Sequence, residues 1–119
     1  MRYMLLIYKD EELWDGMPVQ ERVAAYQAAV ELSEGLRVSG FYQGGDPLHP
    51  ASTATTVRMR NGRTVTTDGP FAETKEQLGG YSIIEVKNLD EALSVAARNP
   101  LLQGGHSIEV RPIRVGPPL

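Results

Sequence analysis

This sequence predicts an α+β fold, an antiparallel sheet with two helices on one face, and three observations carry that prediction. Short apolar runs alternate with helix-period stripes in the order strand, helix, strand, hairpin, strand, helix, strand. The dipeptide Asn61-Gly62 separates two runs rich in threonine and arginine, so the hairpin is an insertion in that order. Each helix lies between two strands, and a β-α-β···β-α-β core of this kind is ferredoxin-like.

The elements follow in order. Tyr3 to Tyr8 is continuously apolar and is followed by Asp10, Glu11 and Glu12, the pattern of a strand covered on both faces. Pro18 stands at the favoured first position of a helix, with Glu21 in its first turn complementing the dipole. Val19, Val23, Tyr26 and Val30 repeat at helical spacing and predict its buried stripe, and Gly35 predicts its stop. A second strand is predicted over Leu36 to Tyr42, followed by the loop Gly44-Gly45-Asp46-Pro47-Leu48-His49-Pro50. Thr55 to Arg60 and Arg63 to Thr67 form the hairpin, and Tyr81 to Val86 the next strand. Asn88, with Glu91 three residues on, reads as a capping box. The helix it opens buries Leu89, Ala92, Leu93, Ala96 and Ala97 and ends at Pro100. Ser107 to Ile113 is the last strand, and Gly116-Pro117-Pro118 a tail.

With 119 residues the chain is expected to form one domain over 1–119. A content of 41% hydrophobic and 23% charged residues places it among globular proteins rather than disordered ones. A formal charge of −3 and few aromatics argue against nucleic-acid and anionic-membrane partners, which call for a basic face. The chain has no cysteine, which excludes disulfides, thiolate metal ligands and thiol nucleophiles. The N-terminal apolar run is too short for a signal peptide or a membrane span of about 20 residues, so a cytoplasmic protein is expected.

Asp68-Gly69-Pro70-Phe71-Ala72-Glu73-Thr74-Lys75-Glu76 is the most distinctive segment. It resembles, letter for letter, the signature of the DGPFAETKE family, the DGPF branch of the YCII-related proteins. Over about residues 1 to 113 the resemblance implies a dimeric α/β barrel. The apolar Tyr3 to Tyr8 strand leads to the same homodimer, because a single open sheet leaves one of its faces wet. The wider YCII-related group is described with a His/Asp pair as its active site, the histidine lying in the first helix. This chain has Val23-Ala24-Ala25-Tyr26-Gln27-Ala28 there and departs from that pattern.

Within the signature, Asp-Gly-Pro is a turn formula, and Phe71 reads either as an anchor holding the loop on the core or as a ligand contact. Asp68, Glu73 and Lys75 are the catalytic candidates: a carboxylate beside an ammonium can act as a general base or orient a substrate proton. Phe71, Glu76, His49, His106, Glu109 and Arg111 are candidates for substrate binding. His49 and His106 are the only histidines, the side chains best suited to proton transfer near neutral pH. Glu109 and Arg111 alternate with Ile108 and Val110; if the aliphatic pair meets the helices, the charged pair faces the partner subunit. Arg60 and Arg63 oppose each other across the hairpin, which suits either a solvated ribbon or an anionic group from a partner, such as Glu73 or Glu76.

No metal site is expected, since histidine pairs at ligand spacing are absent. No nucleotide fingerprint is present, and no cofactor is expected. Two functions remain: a cofactor-independent lyase, isomerase or dehydrohalogenase acting on a small molecule through loop carboxylates, or a dimeric small-molecule-binding accessory protein. The second follows from the resemblance, since DGPF proteins are associated in gene setting with extracytoplasmic-function sigma factors.

Overall fold

The computed structural model describes residues 1–117, so the last two positions of the predicted tail, Pro118 included, lie outside the described residues. Strands β1 (Arg2–Asp10), β2 (Tyr42–Pro47), β5 (Glu76–Glu85) and β6 (Ser107–Pro112) form one antiparallel sheet in the order β2-β5-β1-β6. Strands β3 (Thr55–Arg60) and β4 (Arg63–Asp68) form a separate two-stranded ribbon. Helices α2 (Val19–Val38) and α3 (Leu89–Ala97) complete the ferredoxin-like core, and a one-turn helix, α1 (Glu11–Asp15), follows β1. The fold class is the one the sequence predicts.

Alternation along β1 sorts the two sheet faces. Tyr3 and Leu5 are buried with Ile84, Val86, Leu36, Ala92, Val95 and Ala96, and Ile108 and Val110 pack against that cluster. Met4, Leu6 and Tyr8 take the opposite face, where Glu109 lies beside Leu6 and Arg111 beside Met4. The core therefore sits beneath α3 and the C-terminal half of α2. The other face carries half-buried apolar side chains on β1 and β5.

Three predicted boundaries move, the first being that β5 begins at Glu76, at the end of the signature segment, rather than at Tyr81. Residues 36–38 remain helical rather than opening a strand, because the helix stop is Gly40 and not Gly35. Gly40 adopts φ +85°, Phe41 N donates to Leu36 O at 2.9 Å and Gly40 N to Arg37 O at 3.1 Å, a Schellman closure. Strand β2 then occupies the stretch predicted as a loop. Its glycines allow close pairing: a Cβ on Gly45 would overlap the Tyr81 carbonyl oxygen. The Asn61-Gly62 turn is as predicted, with φ of +50° and +76° at its centre and Arg60 opposite Arg63.

Both helix stripes are rotated from the prediction. Val19, Val23, Tyr26 and Val30 are exposed, and α2 buries the face ending in Leu32 and Leu36. In α3 the buried residues are Ala92, Val95 and Ala96, whereas Leu89, Leu93 and Ala97 are exposed. Asn88 caps α3 as expected: its side chain accepts from Glu91 N at 3.0 Å, and Glu91 returns a carboxylate to Lys87 N at 3.1 Å. Phe71 does not anchor the signature loop. Its ring is 78% exposed, and it is the Phe71 carbonyl that is held, by Arg58 Nη2 at 2.8 Å.

Candidate functional site

Along its middle and C-terminal half, from Tyr26 to Arg37, α2 borders a cavity of about 440 Å³ against the sheet. The floor is sheet backbone left bare by Gly45, Gly79 and Gly80. Trp14, Tyr26 and Tyr42 supply aromatic lining, with Lys9, Arg37, Asp46 and His106 as its charged or titratable members besides Glu34. A bare floor and aromatic walls suit a flat ligand, and convergent polar groups in an otherwise apolar concavity are the usual anatomy of a small-molecule site.

His106 is the one buried polar or charged residue among the described residues, 8% exposed, and its Nδ1 has no hydrogen-bond partner. Its ring meets Trp14 edge to face, centroids 4.8 Å apart and planes at 84°. Burial, and then the Lys9 ammonium, lower its pKa below the ordinary value near 6.5, while the Gly104 backbone acts in the opposite sense. Burial and the ammonium both disfavour the imidazolium form, and Nδ1 is left without a hydrogen-bond partner.

The chain builds this corner from local signals. Asp10 caps α1, accepting from Leu13 N at 3.1 Å, and so points Leu13 and Trp14 at the segment before β6. There Gly104 and Gly105 leave room: a Cβ on Gly104 would lie 3.1 Å from Trp14 Cζ3, and one on Gly105 2.7 Å from Leu13 Cδ2. Gly105 also needs the left-handed backbone, φ +86°. The Lys9 ammonium lies 6.0 Å from the Trp14 ring centroid. On the facing wall the Arg37 guanidinium sits 4.8 Å over Tyr42 and pairs with Glu34 at 3.5 Å.

The signature loop stands elsewhere. Thr56 Oγ1 donates to Gly69 O at 2.8 Å, and Gln77 Nε2 to the carbonyls of Ala72 and Thr74 at 3.0 and 3.1 Å. Lys75 lies 3.9 Å from Asp10, and Glu76 accepts from Ser107 Oγ at 3.0 Å. Lys75, Glu76 and Glu109 border a more open depression of about 490 Å³ together with Tyr8, Thr74 and Ser107. Asp68, Glu73 and Phe71 are exposed and line neither hollow, and His49 is exposed on the connection after β2. Arg111 lies on the sheet face away from the helices. Of the sequence-derived residues, the structure gathers Lys75, Glu76 and Glu109 at one hollow and His106 alone at the other.

Lys9, Trp14, Arg37, Tyr42 and Asp46 escaped the sequence reading. The signals that could have pointed to them were the lone tryptophan, the strand glycines 79–80 and the turn glycines 104–105, since paired glycines mark close approach of another group.

Comparison with known proteins places the chain. The YCII-related domain, as a family model, matches residues 1–115. The chain belongs to the YCII-related family. An uncharacterised protein of Rhizobium meliloti (strain 1021) is 34% identical to this YCII-related protein over 122 residues, covering 99% of this chain and 96% of the relative. Among solved structures it is similar to 5-chloro-2-hydroxyhydroquinone dehydrochlorinase (TftG) from Burkholderia phenoliruptrix AC1100 in complex with 2,5-dihydroxybenzoquinone. That likeness has a TM-score of 0.55 at 20% identity and covers 98% of this chain and 96% of the other, a shared fold. Among the described residues no helix is long and apolar enough to cross a membrane.

Proposed function

We propose that this YCII-related protein binds a small, flat, hydroxylated ring compound between α2 and the sheet and catalyses an elimination or isomerisation there, with His106 moving the proton. The observation that carries this reading is the buried His106 imidazole on the wall of the cavity, its Nδ1 without a hydrogen-bond partner. A general base must be unprotonated at working pH and in reach of its substrate, and burial beside a cation serves the first need. Lys9 and Arg37 supply positive charge for the oxyanion that forms as the proton leaves. In a dehydrohalogenation the imidazole accepts one proton from the substrate. The electron pair left behind forms the new double bond, and halide departs with the pair of its former bond. Such a step consumes no oxidant or reductant.

The fold shared with a dehydrochlorinase is consistent with this chemistry and supports it only at the level of fold. The loop carboxylates have a narrower part in this reading. Lys75 and Glu76 face the other, more open hollow, where they meet Asp10 and Ser107, and Asp68 and Glu73 are solvated.

The test is chloride release from a chlorinated hydroxyhydroquinone, followed by a halide electrode. Release abolished in His106→Gln and retained in Glu73→Gln supports the reading. Release that survives His106→Gln and fails in Glu73→Gln returns the chemistry to the loop. Saturable binding without turnover of any such compound favours the second reading, a small-molecule-binding accessory protein, because the cavity alone suffices for that.

A further inference from the structure

Lys9 is the charged group of the cavity that has no counterpart. Of Lys9, Lys75 and Lys87, only the first is not exposed, and among the described residues it forms no ion pair. Its stem lies along the floor: a Cβ on Gly79 would touch Lys9 Cγ, Cδ and Cε at 3.4 Å. Its ammonium stands 6.0 Å from the Trp14 ring centroid, the outer limit of a cation–π contact, so the ring leaves most of that charge unanswered. The other charges of the lining are answered. Arg37 pairs with Glu34 at 3.5 Å. The Asp46 carboxylate accepts from Tyr81 Oη at 3.3 Å, and the register of β5 puts Tyr81 beside Leu6, on the sheet face away from the helices. Lys9 also has a fixed neighbour. The β1–β6 ladder ends with Tyr8 opposite Ser107, so the next residues along, Lys9 and His106, adjoin on the face that Ile108 shares with the core. The ammonium is close enough to bear on the protonation of the His106 imidazole.

We propose that Lys9 selects the ligand by charge: the ring compound enters with a hydroxyl already ionised, and that oxygen becomes the missing counter-ion between Lys9 and His106. An ammonium that has given up part of its hydration is best compensated by an anion within hydrogen-bond reach. Lysine is a compact point charge suited to a single oxygen. A carboxylate is better met by the guanidinium fork, and the fork of Arg37 is engaged by Glu34. The ligand class is therefore acidic hydroxyquinones and similarly activated phenols, rather than ring carboxylates or neutral phenols. This selectivity rests on the hollow being the ligand site proposed above, and adds which ring compounds enter it. In the reaction the ammonium serves charge that develops as the proton leaves; in recognition it serves charge that the ligand brings.

The test compares two single-ring probes at pH 7 by calorimetry: 2,5-dihydroxybenzoquinone, whose hydroxyls are ionised there, and 1,4-dihydroxybenzene, which is neutral. Wild type, Lys9→Met and Lys9→Arg are titrated with each. Methionine keeps an unbranched stem without the charge, and arginine keeps the charge. The wild type is expected to prefer the anion by about tenfold or more, the worth of a charge-assisted hydrogen bond. Lys9→Met loses that preference with its affinity for the neutral compound unchanged, and Lys9→Arg retains it. A preference that persists in Lys9→Met, or an equal loss for both compounds in that variant, overturns the inference. A wild type that binds both compounds equally also overturns it and leaves the site standing. Failure of the wild type to bind either compound removes the site and the inference with it.

Discussion

His106 gives the clearest case of one residue carrying several consequences. Its lowered pKa means that the unfolded chain takes up the proton more readily than the native one. Stability is therefore full above about pH 6.5, the ordinary histidine value, and is lost as pH falls through the native pKa, levelling off below it. Melting temperatures between pH 5 and 8 should show this step in the wild type and not in His106→Gln. Phe71 makes the opposite point. With its ring in solvent, Phe71→Ala should leave the melting temperature within the roughly 0.5 kcal/mol range of surface substitutions, rather than the 3–5 kcal/mol of a core phenylalanine. A large loss on that substitution would place the ring against a neighbour. Neither position was legible as such: His106 read as one of two equivalent histidines, because sequence shows residue types without their burial. Gly104 and Gly105, immediately before it, were the physical hint, since Trp14 lies where a Cβ on Gly104 would stand and Leu13 where one on Gly105 would, and Gly105 also takes the left-handed backbone.

At the scale of elements, turns and caps were legible because their chemistry is local. Asn61-Gly62 occupies positive φ as its type demands, and Asn88 takes the cap its position suggests. Asn88→Ala should cost about 1 kcal/mol in a urea titration, with an unchanged slope, because the Glu91 amide loses its acceptor. The faces of the helices were not legible. Period alone cannot tell which of two apolar strips on α2 meets the sheet, and the valine stripe outweighed the alanine-rich face that packs with Leu32 and Leu36. The end of α2 was misplaced for a related reason. Gly35 and Gly40 are equivalent letters, and only the Schellman bonds to Leu36 and Arg37 select Gly40. The cavity owes its existence to that misjudged face, since α2 turns small side chains such as Ala29 and Ser33 toward the sheet where larger ones would fill the space.

At the scale of the molecule, the radius of gyration of 16.2 Å exceeds the roughly 13.5 Å expected for a compact chain of this length. The extents of 48 × 44 × 19 Å describe a flat two-layer slab with a protruding ribbon. The apolar open face of the sheet points to self-association. Sedimentation at low micromolar concentration should give twice the chain mass, and a well-folded monomer there would remove the basis of the assembly. The central claim, that the hollow between α2 and the sheet is the ligand site, has a built-in reporter. Trp14 is the only tryptophan of the chain, and it lines that hollow against His106. Titration with 2,5-dihydroxybenzoquinone, followed by Trp14 fluorescence and by calorimetry, is the most direct measurement. The account predicts a saturable change with one ligand per chain and at least tenfold weaker binding in His106→Gln, with affinity unaltered in Glu73→Gln. Binding that leaves Trp14 unperturbed, or that is lost in Glu73→Gln and kept in His106→Gln, would contradict it.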